Sequence, residues 1–263
     1  MHTKEEKLQA FSQALDIMDQ LREKCPWNAA QTIESLRPLT IEEVYELSDD
    51  VLRSDWNGLE KELGDVLLHV IFYSKIAEEQ GRYDIKDVLD RLCEKMIFRH
   101  PHVFGNGASE GLTEEEVAKN WELIKTKEKG GNRSILGGVP DSFPPLLKAY
   151  AMQDKACAVG FDWEKREDVW DKVEEEYGEV REAIGEQDQT HIEEEFGDLF
   201  FALVNASRLY GIDPSVALDG ACKKFKRRFT YLEDTTKERG LNLKDMTLAQ
   251  MDEIWDEGKA KGL

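Results

Sequence analysis

The sequence predicts an all-α protein made of two similar helical modules in tandem, and three observations carry that expectation. Apolar residues recur at three- and four-residue intervals through most of the chain. Alternating apolar and polar runs bounded by hairpin turns, the mark of strands, are hard to find. The two halves also carry one pattern of acids in one register, which composition alone does not produce.

The helical stretches follow one another with short breaks. "LQAFSQALDIMDQL", "LTIEEVYELSDDVL", "LEKELGDVLLHVIFYSKIAEE" and "IKDVLDRLCEKMIFRH" each line one face with apolar side chains. "KCPW" near Cys25, "SDWNG" ending at Gly58 and "EQGRYD" around Gly81 supply the turns, so antiparallel neighbours are expected. The clearest break is "EKGGNRSILGGVPDSFPP", whose four glycines and three prolines suit a linker. The expected division is a module over 1–127, a linker over 128–145 and a second module over 146–263. A helix pair with one basic helix is a thin bundle, so the modules are expected to pair within a chain or with a partner chain.

Composition excludes several classes. A formal charge of −20 with no long basic run argues against nucleic-acid binding, which needs a basic footprint. The N-terminal stretch is amphipathic and charged throughout, unlike a signal peptide, and "VLLHVIFY" is too short to span a bilayer. No membrane partner and a cytoplasmic location are the expectation. Cys25, Cys93, Cys157 and Cys222 form no CxxC pair and read as inert thiols.

The repeated acids are the functional signal. "EEVYE" followed by "ELGD" in the first half returns as "EEYGE" followed by "EFGD" in the second. Glu43, Glu46, Glu62 and Asp65 fall on Glu176, Glu179, Glu195 and Asp198 without a gap. Lys95 and Arg99 match Lys224 and Arg228, although the distance from Asp to Lys is four residues longer in the first half. Positions three apart share a helical face, so an antiparallel helix pair would gather four carboxylates. That much like charge calls for a cation. Oxygen-only ligands favour Mg²⁺, with Mn²⁺ as a substitute, over the metals that recruit His or Cys. Mg²⁺ so held keeps positions open for water and phosphates, and the paired Lys and Arg could meet those phosphates. Gly64 and Gly197, each beside the Asp, are expected to permit close approach of a helix or of substrate.

These acids, with "CPW" (Cys25 to Trp27), "RHPHVF" (Arg99 to Phe104), "WELIKTKE" (Trp121 to Glu128) and "VGFDW" (Val159 to Trp163), closely resemble the MazG nucleoside triphosphate pyrophosphohydrolases over nearly the whole chain. The resemblance implies a dimeric all-α enzyme that converts nucleoside triphosphates, ribo and deoxy, to monophosphate and pyrophosphate with Mg²⁺. Glu176, Glu179, Glu195 and Asp198 would hold metal, with Glu43, Glu46, Glu62 and Asp65 as a second candidate site. Lys224 and Arg228 would hold the triphosphate, Lys172 and Glu175 would lie near the nucleotide, and Trp255 resembles an aromatic position that contacts it. The mechanism inferred is hydrolytic: water attacks the α-phosphorus and pyrophosphate leaves, with Glu175 a candidate base.

Glu42, Glu174, Glu193 and Glu194 lie among the acids mostly as surface; Glu194 and Arg227 are kept as nucleotide-binding candidates beside the stronger ones. Lys95 and Arg99 are the basic pair of the second candidate site. Trp27, Trp163, His100 and His102 read as packing residues. The second half is expected to be the main catalytic module. Two rival readings are a non-catalytic Mg-nucleotide regulator and a narrower dUTP, dCTP or damaged-nucleotide pyrophosphatase.

Overall fold

A computed structural model describes residues 1–105, Thr113, Val117, Ile124 and residues 134–263. Among the described residues there are helices and turns and no strand. The chain divides into two compact units, Met1–Ser109 and Glu110–Leu263. Most of "WELIKTKE" and the first part of the expected linker lie outside the described residues.

In the first unit, α1 (Lys4–Lys24) is followed by the short α2 (Pro26–Ala30), α3 (Ile33–Arg53), α4 (Trp56–Glu79), α5 (Ile85–Arg99) and α6 (Pro101–Phe104). The starts are set by side chains that accept otherwise orphaned N–H groups: Thr3, Thr32, Asp55 and Asp84 cap α1, α3, α4 and α5. Helices α3 and α4 form an antiparallel hairpin, and α1 packs across α4. Met18, Leu36, Ile71, Phe72 and Ile76 make the core, with Phe11, Leu15 and Leu39 against it. Arg22 fastens α1 to α4 through Glu79, at 2.9 Å from Nε and 2.5 Å from Nη2, while its Nη1 donates to the Asn28 and Gln31 carbonyls. A half-buried polar knot joins α3 to α4, where Thr40 Oγ1 lies 2.8 Å from His69 Nδ1 and 2.8 Å from the Tyr73 hydroxyl.

The second unit contains α7 (Pro145–Cys157), α8 (Val169–Glu186), α9 (Gln189–Leu209), α10 (Pro214–Glu238) and α11 (Leu248–Ala260). Helices α8 and α9 form the counterpart hairpin, α7 packs on α9, and α11 folds back along α10. Val169, Val180, Ala183, Ala202, Val204 and Ala206 are buried along the hairpin, and Leu232 and Ile254 between the last two helices. At the positions of Thr40, His69 and Tyr73 this unit carries Val173, Ala202 and Ala206, so the polar knot is replaced by apolar packing. The "VGFDW" turn is clamped where Arg208 Nη2 meets Asp162 Oδ1 at 2.5 Å and Asn205 Oδ1 at 2.9 Å.

The two hairpins turn the same corner. Ser54 (φ 55°) ends α3 and Gln187 (φ 59°) ends α8, both left-handed without being glycine. The next residue in each case, Asp55 or Asp188, caps the following helix. One corner used twice keeps both acid patterns at the same distance along the chain from the turn.

Candidate functional site

The corner aims the acids inward. In the first unit, carboxylate oxygens of Glu43 on α3 and of Glu62 and Asp65 on α4 all lie within 4.8 Å of one another. In the second unit, Glu176 and Glu179 on α8 and Glu195 on α9 do the same. The fourth acid of each set, Glu46 and Asp198, is exposed and lies outside the convergent triplet. Glu62 and Glu176 are the buried members, at 4% and 6% exposure, so each cluster has one carboxylate denied most of its water.

Crowded acids resist ionisation. Loss of hydration, then the charges of Glu176 and Glu195, raise Glu179 above the ordinary carboxylate range, while Lys172 opposes the shift. Burial, then Asp65, Glu46 and Glu62, raise Glu43 in the same way. Lysines offset part of the repulsion from opposite helices. Lys172 on α8 lies 2.8 Å from Glu175 and 2.7 Å from Glu176, whereas Lys61 on α4 lies 2.7 Å from Glu62 and 3.7 Å from Asp65. Bonds to Glu175 and Glu176 hold Lys172 protonated well above the ordinary lysine value. Even so, Glu62 Oε2 is buried without a hydrogen-bond partner.

The donor set suits a hard divalent cation. Every convergent atom is a carboxylate oxygen, and one buried oxygen lacks a partner that such a cation would supply. Beside Gly64 and Gly197 a Cβ would meet no atom within 4 Å, so no neighbouring helix presses on them within either unit.

The basic and aromatic candidates gather elsewhere on the second unit. The Arg228 guanidinium stands 5.9 Å from the Trp255 ring centre and donates to the Leu263 carbonyl at 2.7 Å. Phe225 packs against both Phe229 and Trp255. Lys224 and Arg227 are exposed on α10, and Glu194 is exposed on α9. Among the described residues, no hydrogen bond or ion pair joins Lys224, Arg227 or Arg228 to the acid triplet. Lys95 and Arg99 are half-buried on α5.

His191 escaped the sequence reading. Its Nδ1 lies 2.9 Å from Glu186 and its Nε2 3.1 Å from Glu195. The signal available was its place one turn before Glu195, in "HIEEE". Bonding to Glu186 first, and then the Glu195 charge, raises its proton affinity.

Comparison with known proteins agrees with this architecture. The family described as the MazG nucleotide pyrophosphohydrolase domain matches twice, over residues 31–104 and 165–232, which contain the two hairpins and their acids. The chain is 44% identical to a Thermotoga maritima protein named nucleoside triphosphate pyrophosphohydrolase/pyrophosphatase MazG, covering 96% of each. It is 40% identical to the Escherichia coli K12 nucleoside triphosphate pyrophosphohydrolase, over 93% of this chain and 95% of that one. It also aligns at 45% identity with 53% of the longer, uncharacterised Bacillus subtilis YabN, through 97% of its own length. With two matching segments and relatives alike over almost their full length, this chain belongs to the MazG nucleotide pyrophosphohydrolase family.

Proposed function

We propose that this chain hydrolyses nucleoside triphosphates to monophosphate and pyrophosphate, that it does so with Mg²⁺ (Mn²⁺ substituting), and that it accepts a broad range of bases and both sugars. The convergence of Glu176, Glu179 and Glu195 on one point carries the reading. The names of the Thermotoga and Escherichia relatives support the reaction class.

Glu176, Glu179 and Glu195, with Asp198 at the exposed rim, would hold the cation. The ion, when bound, would neutralise phosphate charge and lower the pKa of water at neutral pH. The chain's own groups do the rest. Lys172, paired with Glu175 and Glu176 here, would supply positive charge near the nucleotide. Glu175, exposed and bonded to Lys172 at 2.8 Å, would be the candidate to accept a proton at its carboxylate. Arg228, Lys224 and Arg227 supply positive charge for the triphosphate, and Trp255 beside Arg228 offers a flat face for a base. The N-terminal triplet, with Lys95 and Arg99, is a second candidate site. Lys61 on its second helix and the absence of a lysine at Leu39, the counterpart of Lys172, favour the C-terminal unit as the catalyst.

The exposed apolar faces support pairing with a second copy. Trp170, Tyr177, Ile184, Phe196 and Phe200 on α8 and α9 are between 40% and 58% exposed, too much for an isolated hairpin to leave wet. Sedimentation of the full chain tests this.

Product analysis tests the reaction. Each common ribo- and deoxyribonucleotide is incubated with Mg²⁺ or with chelator, and products are separated by ion exchange. Metal-dependent monophosphate plus pyrophosphate is expected from most of them. Diphosphate plus phosphate, or tight binding without products, refutes the reading. Glu176→Gln is expected to abolish turnover; full activity there, with loss in Glu43→Gln, would move catalysis to the first unit.

A further inference from the structure

We propose that His191 is a positioning residue for the metal-binding carboxylate Glu195, held in place by Glu186, and that this bridge distinguishes the acid cluster of the second unit from its copy in the first. The inference rests on the reading of Glu176, Glu179 and Glu195 as a cation site.

Three observations carry it. The ring lies against the corner of the α8–α9 hairpin, with Nδ1 2.9 Å from Glu186, the last residue of α8, and Nε2 3.1 Å from Glu195 on the second turn of α9. The ring is therefore hydrogen-bonded to Glu186 on one side and in contact with Glu195 on the other. Glu195 is thereby held by a planar side chain with few rotamers, whereas Glu62 relies on the long, exposed Lys61.

The second observation is a paired exchange between the copies. His191 aligns with Gly58, and Ala183 aligns with Asp50. In the first unit the Asp50 carboxylate occupies the space a side chain at 58 would need, since a Cβ there would lie 2.2 Å from Asp50 Oδ2. In the second unit Ala183 is fully buried and carries no carboxylate, so position 191 can bear a ring that turns toward Glu195.

The third is its place at the start of α9. His191 is the third residue of α9, where Asp188 already caps the backbone N–H groups of Thr190 and His191. Its ring takes no part in that cap. Its two carboxylate contacts account for its orientation instead. Groups that hydrogen-bond to metal ligands fix their direction, and removing such a group costs about tenfold in metal affinity or more.

The test measures Mn²⁺ alone, by the electron paramagnetic resonance signal of the free ion, on the full chain in a Glu62→Gln background that disables the first triplet. Glu176→Gln is the reference that removes the second. His191→Ala is expected to weaken binding about tenfold. His191→Gln keeps a donor where Nε2 reaches and is expected to recover most of the affinity. His191→Asn keeps one where Nδ1 reaches, toward Glu186, and is expected to behave like Ala. Helical circular dichroism confirms that each variant is folded. Binding that Glu176→Gln leaves intact would overturn the cation site and the bridge together. Binding that depends on Glu176 but is unchanged or tighter in His191→Ala, or equal in the Gln and Asn variants, would overturn the bridge alone.

Discussion

Adding one methyl group at Gly58 tests why the two acid clusters differ. Its Cβ would lie 2.2 Å from Oδ2, 2.6 Å from Cγ and 3.0 Å from Oδ1 of Asp50, a residue only 9% exposed whose carboxylate also meets Arg53 at 3.2 Å. A carbon and an oxygen need over 3 Å, so the carboxylate must move by about 1 Å, and crowding of this kind typically costs about 1–3 kcal/mol. Alanine over glycine in a helix returns up to about 1 kcal/mol. Gly58→Ala is therefore expected to destabilise the α3–α4 hairpin by about 1 kcal/mol. In an Asp50→Ala background the obstacle is gone, and the same substitution is expected to stabilise by somewhat under 1 kcal/mol. The coupling between the two positions is then about 2 kcal/mol, within the range for residues in contact. Hydrogen exchange of α4 amides reads this locally, which matters in a chain of two units. If Gly58→Ala has the same sign and size in both backgrounds, Asp50 is not what holds position 58 empty.

Further outcomes follow from other contacts. Burial lowers the proton affinity of His69 from the ordinary value of 6.5, so below that pH the unfolded chain takes up the proton first and the first unit loses stability as pH falls. Melting curves from pH 7.5 down to 5 should show this, with a flatter slope in His69→Gln. Arg22, whose side chain is 11% exposed, is expected to cost about 1–2 kcal/mol on truncation to Ala, since two carbonyls lose their donor while the partly exposed Glu79 regains water; chemical denaturation measures it. Arg208→Ala should release the "VGFDW" turn, raising hydrogen exchange across residues 158–168 while α8 stays protected.

The helices and the repeated acids were legible because both are written in local spacing. Three- and four-residue periodicity fixes a helical face, and Glu43 or Glu176 falls on that face wherever the helix goes. What spacing leaves open is how far one helix rotates against its neighbour. That rotation brings Glu43, Glu62 and Asp65 together in one unit and Glu176, Glu179 and Glu195 in the other, so each triplet draws its pair of acids from a different helix. His191 was hidden for a related reason: its orientation depends on the missing side chain at Ala183, a non-local vacancy. Trp255 was visible as an aromatic near a basic helix, but its neighbours Phe225 and Arg228 emerge only when α11 folds back on α10.

The left-handed corners at Ser54 and Gln187 determine where the sequence can change length. One residue added or removed there would turn the following helix by about 100° and carry its acids off the shared face. The stretch between the acids and the basic helix is under no such control, and there the two copies already differ by four residues. Insertion scanning should accordingly find length fixed from Glu43 to Asp65 and from Glu176 to Asp198, and tolerant in the stretches that run from each Asp to its basic helix.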